Sequence, residues 1–119
     1  MALKTIRLEL ARTKEFPDGN PAYGYEFRAP LRGDGHIDAD EWRKVRDQCT
    51  VRHYRPDAAD ENGYLIHTRR GTWAFSYAPG EDDDEPFFRF EGHAFKDGEY
   101  VSITGHDGQL LPFKVASVR

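Results

Sequence analysis

Leu3-Lys4-Thr5-Ile6-Arg7-Leu8-Glu9-Leu10-Ala11-Arg12 alternates apolar Ile6, Leu8 and Leu10 with polar Thr5, Arg7 and Glu9, the two-residue period of a strand with one wet face. The alternation stops at Phe16-Pro17-Asp18-Gly19-Asn20-Pro21, a cluster of turn-forming residues. It resumes with Tyr23, Tyr25 and Phe27 set against Gly24, Glu26 and Arg28, so the two runs predict a hairpin joined by about ten residues.

The next segment changes period. In Ile37-Asp38-Ala39-Asp40-Glu41-Trp42-Arg43-Lys44-Val45-Arg46-Asp47-Gln48-Cys49, Asp38 stands as an N-cap with Glu41 three residues on, a capping-box-like pair. Ile37 and Trp42 are spaced for a hydrophobic staple, and Ala39, Trp42, Val45 and Cys49 make a narrow apolar stripe. One amphipathic helix at about 38–49, lying on a sheet, is expected.

Downstream, Val51–Tyr54, Tyr64–Thr68, Thr72–Tyr77, Phe87–Phe90, His93–Phe95, Glu99–Thr104 and Gln109–Val118 read as strands. A polar loop at Arg55–Gly63, a turn at Arg69–Gly71, an acidic loop at Ala78–Pro86 and a turn at Gly105–Gly108 separate them. Pro112 suggests that the last strand is an edge or carries a bulge. The fold class that follows is mainly β, formally α+β: a small antiparallel sandwich or partly open barrel of about seven or eight strands with one helix. At 119 residues the whole chain, 1–119, is expected to form a single domain.

Composition narrows the function classes. Phe, Tyr and Trp make up 16 of the 119 residues, enough large rings for a core. The formal charge is −4, which argues against nucleic acid as a main partner. Arg43, Arg46, Arg52, His53, Tyr54, Arg55, Arg69 and Arg70 do interleave cations with an aromatic ring, but the plainer reading is the wet face of a helix and a strand. The single cysteine, Cys49, excludes an intramolecular disulfide, the N-terminus has no signal-peptide core, and no segment is long and apolar enough to span a membrane; a cytoplasmic location is expected.

No catalytic motif stands out. Ser76, Ser102 and Ser117 lack a nucleophile elbow, and there is no glycine-rich phosphate cradle. Asp34-Gly35-His36-Ile37-Asp38-Ala39-Asp40-Glu41 matches the second half of an EF-hand loop, but Pro30 and Arg32 occupy the first ligand positions, so a capped turn is expected rather than a calcium site. His36, His53, His67, His93 and His106 show no metal-ligand spacing, and neither a metal nor a cofactor is expected.

Gly98-Glu99-Tyr100-Val101-Ser102-Ile103 resembles the Gly-Gln-Tyr-Val strand of ferredoxin-reductase-type flavin barrels, which would imply a flavin. That family's Arg-x-Tyr-Ser motif should follow the strand; Arg52-His53-Tyr54 precedes it and lacks the Ser, so no flavin is expected. With Gly24–Phe27, Asp34–Arg43 and Gly98–Gly108 as landmarks, the chain resembles a family of small bacterial proteins of similar size. That resemblance brings no function with it.

Two function classes remain. The leading expectation is a non-enzymatic binding or protein-interaction domain, whose acidic loop Glu81-Asp82-Asp83-Asp84-Glu85 could dock a basic protein partner. The alternative is a small metal-dependent enzyme or hydrolase with a site near His93, Asp97, His106 and Asp107. Five adjacent carboxylates repel one another, and side chains on an extended segment diverge, so ionic strength rather than a particular cation should relieve them. In thermal melts with calcium, magnesium, manganese or zinc, each matched in ionic strength by sodium chloride, stability should track ionic strength alone. A saturable gain with one metal, near 2.7 kcal/mol at about a hundredfold excess over Kd and abolished by D82N/D83N/D84N, would contradict this.

Overall fold

In the computed structural model the first alternation becomes strand β1 (Leu3–Leu10) and the second becomes β2 (Asn20–Pro30), paired antiparallel with Ile6 opposite Phe27 and Leu8 opposite Tyr25. The structure describes residues 3–67, 73–77, 87–90, 94–104 and 110–119. After helix α1 (Ala39–Val45) come β3 (Thr50–Arg55), β4 (Ala58–His67), β5 (Trp73–Ser76), β6 (Phe87–Phe90), β7 (Tyr100–Thr104) and β8 (Leu110–Val118). Each strand is antiparallel to the next and β8 returns to β1, closing an up-and-down barrel. Among the described residues β6 meets β7 through Arg89 with Thr104 and Phe90 with Ile103.

The sequence left a sandwich or a partly open barrel as alternatives, and the β8–β1 pairing selects the barrel. β8 has a neighbour on both sides and so is not an edge, and of the two alternatives that Pro112 suggested for the last strand the bulge is the one present, since the register of β8 against β1 shifts between Ser117 and Val115. The expected polar loop at 55–63 is instead the turn Pro56-Asp57 followed by the first half of β4. Ala58-Ala59-Asp60-Glu61-Asn62-Gly63 has weak strand propensity, and pairing with β3 overrides it. Gly63 is required there because a Cβ would stand 2.0 Å from the Ser76 carbonyl oxygen. Ala94 and Phe95 are not in a strand; the Phe95 N–H donates to the Gly35 carbonyl at 2.7 Å and its ring is buried.

Eight strands give a lumen just wide enough for side chains to fill. Ile6, Leu8, Tyr25, Phe27, Val51, Leu65, Phe75, Val101, Ile103, Phe113 and Val115 point into it and are buried. Phe27 meets Phe75 at 5.1 Å between ring centroids and Phe95 at 5.3 Å, tilted or edge-on, as aromatic quadrupoles favour.

The helix lies across one end of the barrel rather than on a sheet face. Asp38 caps it as expected, its Oδ1 accepting from the Glu41 N–H at 3.0 Å. The α-helix is shorter than the 38–49 expected, because Val45 leaves helical geometry and Arg46–Gln48 continues as a 3-10 turn. Ile37, Trp42 and Cys49 are buried in the core, with Ala39 and Val45 packed against it. Trp42 reaches the ends of β4 and β5: its Nε1–H donates to the Leu65 carbonyl at 3.0 Å and its ring stands edge-on to Trp73 at 5.5 Å. The apolar stripe of the helix therefore packs against Trp73, whereas Tyr25 lies toward the opposite end, where β2 begins.

Trp42 closes this end, so Trp42→Ala should lower the unfolding free energy by about 3–5 kcal/mol in urea melts, through the lost ring and its buried hydrogen bond. A loss below about 1 kcal/mol would contradict the plug.

Candidate functional site

Strand alternation places one group of polar side chains inside the barrel, at the end opposite the helix. On β3, Val51, His53 and Arg55 face the lumen while Arg52 and Tyr54 face outward. Neighbouring β2 contributes Tyr23 and Tyr25, β4 contributes Glu61, and Tyr77 follows β5. His53 is 1% exposed. Its ring stacks on Tyr25 at 4.3 Å, with Tyr23 edge-on at 5.5 Å and Tyr77 tilted at 6.2 Å.

A carboxylate and a guanidinium complete the group. Glu61 Oε1 lies 3.5 Å from His53 Nδ1 and 3.4 Å from Arg55 Nη2, which also donates to the Ala59 carbonyl at 3.1 Å. Arg55 Nε is buried and has no hydrogen-bond partner among the described residues. The Arg55 and Glu61 side chains keep 29% and 26% of their exposure, so solvent meets the outer part of the group while the imidazole is enclosed. Burial, reinforced by the Glu61 carboxylate, pushes the Tyr77 hydroxyl far above its ordinary pKa; burial and the neighbouring Tyr77 do the same for Tyr25. Both phenols are hydrogen-bond donors over the physiological range.

Tyr23 also walls a cavity of about 200 Å³ lined by Leu10, Thr13, Lys14, Glu15, Phe16 and Leu111. The β1–β2 loop forms its outer side and is held by its own hydrogen bonds, Thr13 N–H to the Phe16 carbonyl and Gly19 N–H to the same oxygen, both at 2.9 Å. Phe16 N–H returns to Thr13 Oγ1 at 3.1 Å. Phe16 packs onto the core.

The residues singled out from sequence fall elsewhere. Glu81, Asp82, Asp83, Asp84 and Glu85 lie outside the described residues, as do His93, His106 and Asp107; Asp97 is exposed in the turn before β7. Of the interleaved cations Arg69 and Arg70 lie outside the described residues; among the others Arg52 lies over the outward Tyr54 ring at 5.2 Å, joined there by Arg7 at 4.6 Å, while His53 and Arg55 point into the barrel. Asp34 Oδ1 accepts from the His36 N–H at 3.0 Å in a local turn, and that bond holds its carboxyl below the usual range. Cys49 is buried and its thiol is pushed up to about 11 by burial, which makes it a poor nucleophile at neutral pH. Among the described residues no group of three or more His, Cys, Asp or Glu is placed to hold a metal ion, and no helix is long and apolar enough to cross a membrane.

The interior group was legible in principle, since a two-residue period starting at Val51 puts His53 and Arg55 on the core face.

The raised pKa values fix the sign of the alkaline response. Below about pH 9 these groups are protonated in folded and unfolded chains alike, and their burial is fully favourable. As pH rises the unfolded chain ionises first, near 9.0 for a thiol and 10.0 for a phenol, while the fold holds the Cys49 proton to about 11 and the Tyr54 proton to about 12. Stability should therefore fall from pH ~9 upward, each group adding a slope of up to about 1.4 kcal/mol per pH unit. Urea melts across this range should give a shallower decline for Tyr77→Phe than for the wild type; equal slopes would remove Tyr77 from the buried group.

Compared with protein-family models, curated proteins and solved structures, the chain matches none of them, so the site is read from its own geometry.

Proposed function

We propose that this chain is a non-enzymatic binding domain that takes a small molecule at the polar end of its barrel. The observation that carries the reading is the enclosed imidazole of His53, stacked on Tyr25 and set 3.5 Å from the Glu61 carboxylate, which in turn meets Arg55. Burying these groups in a lumen that aliphatic side chains would fill costs stability, and polar groups retained at such a cost concentrate where ligands are recognised. The mouth of a small β-barrel is a usual place for such a site. Aromatic walls with a few convergent donors and one carboxylate suit recognition by shape and hydrogen bonding. Docking of a basic protein on Glu81–Glu85 belongs to the same class of function and stands as a separate reading of the sequence.

A set of single-ring and short-chain fragments tests the proposal by thermal melts and amide resonance shifts. At least one fragment should raise the melting temperature saturably, by several degrees at about a hundredfold excess over Kd, and shift the amides of Tyr23, His53 and Arg55. The effect should vanish in His53→Gln, whose fold is checked by circular dichroism. A set with no saturable hit, or hits indifferent to His53→Gln, would refute the reading.

A further inference from the structure

We propose that the outer wall of the barrel carries a second binding site, a groove across β1 to β4 that takes a nucleoside monophosphate, with Arg28 holding the phosphate and Tyr64 stacking on the base. The site is separate from the lumen group and does not depend on it. Strand register builds it. Thr5 of β1 stands beside Arg28 of β2, and Thr50 of β3 beside Tyr64 of β4. Phe27 pairs with Val51, so the next step along β2 and β3 brings Arg28 beside Thr50 and completes one row: Thr5, Arg28, Thr50, Tyr64. The neighbouring row on the same face is Arg7, Glu26, Arg52, Asn62. Apart from Arg7, the residues of both rows line one groove of about 640 Å³, within the size range of small-ligand sites.

Charge distinguishes the two rows. Glu26 lies 3.7 Å from Arg7 and 3.5 Å from Arg52, and Arg52 also meets Asp60 at 3.1 Å, so the cations of the second row already have carboxylates. Arg28 is exposed and has no carboxylate partner among the described residues. Thr5 and Thr50 flank it, each one strand away at about 4.8 Å. A guanidinium between two hydroxyls is a set of donors for phosphate, whose oxygens accept from Arg and Thr side chains alike. Tyr64 follows on the other side of Thr50, about 10 Å from Arg28 at the backbone. Its side chain is 41% exposed, and an exposed aromatic face stacks on a nucleobase. A nucleotide carries its phosphate and its base on opposite sides of one sugar, so it spans this row. The sugar hydroxyls then meet the second row, where Asn62 offers a donor and an acceptor and Glu26 an acceptor.

Adenosine monophosphate is the probe, with adenosine, inorganic phosphate and a single-stranded oligoadenylate as controls, titrated into the full chain and followed by amide resonance shifts and calorimetry. The monophosphate should bind saturably, shift the amides of Thr5, Arg28, Thr50 and Tyr64, and bind tighter than adenosine or phosphate alone. Arg28→Gln should weaken it by about ten- to a hundredfold and leave adenosine unchanged. Tyr64→Ala should weaken it by about tenfold and leave inorganic phosphate unchanged. Both side chains are exposed, so the fold is retained, as circular dichroism will check. If Arg28→Gln fails to fold, Arg28→Lys serves in its place: it keeps the charge but loses the planar fork, and should still weaken the monophosphate measurably. No saturable binding of the monophosphate, affinity unchanged in the Arg28 variant, or adenosine binding as tightly overturns the assignment. Oligoadenylate binding more than about tenfold tighter also overturns it, and makes the groove a nucleic-acid surface instead. The fragment set reads the amides of Tyr23, His53 and Arg55, so the two conclusions can fall independently.

Discussion

The lumen of an eight-stranded barrel must be filled by the side chains that line it, and the rest of this structure depends on that constraint. Every inward position is a choice between packing and chemistry. Along most of the barrel packing wins: Phe27, Phe75, Phe95 and Phe113 bring rings into edge-on or tilted contact, and Ile6, Leu8, Leu65, Ile103 and Val115 fill the spaces between them. Such an interior tolerates few voids, since each missing methylene removes both transfer energy and dispersion contacts. Closure also removes the exposed strand edges that a mainly-β chain of this size would otherwise have to protect.

The two ends meet the constraint differently. At one end the chain between β2 and β3 folds back as a helix and drives Trp42 into the opening, where the indole nitrogen finds the Leu65 carbonyl. Phe95 approaches the same end, tied by its backbone to Gly35, which has a φ of +89°. At the other end the inward positions among the described residues carry Tyr23, His53, Arg55, Glu61 and Tyr77. The β1–β2 loop lays Phe16 beside them without covering the guanidinium or the carboxylate completely. One end is built for stability and the other keeps polar groups at a cost, a division common in folds that carry a site.

The outer wall shows how closely the strands approach. A Cβ on Gly24 would stand 1.9 Å from the Leu8 carbonyl oxygen, so only glycine fits, and the Tyr54 ring from the opposite position of β3 covers the gap. The Tyr54 hydroxyl donates to that same oxygen at 3.3 Å, and Arg7 and Arg52 lie over its ring. Glu26 lies within ion-pair reach of both arginines, at 3.7 and 3.5 Å. These partly exposed pairs are worth little singly, and their effect is to hold the tyrosine in place over the glycine.

Local sequence determined the elements whose signals are local. The period of two in residues 3–10 and 23–27, the Asp38 cap with its Ile37 and Trp42 staple, and the mainly-β class all follow from side-chain periodicity and turn chemistry, which act within a few residues. The tertiary structure alone decided whether the strands stack as a sandwich or close as a barrel, because that rests on β8 pairing with β1 across more than a hundred residues of chain. It turned Ala58–Gly63 into strand against its propensity, since the partner strand supplies the hydrogen bonds that composition cannot announce. It also assembled the candidate site. Tyr23, His53, Glu61 and Tyr77 come from four separate segments, and each one alone reads as an ordinary strand residue; only barrel closure turns their side chains toward one enclosed point, where low polarity raises the cost and the strength of every contact among them.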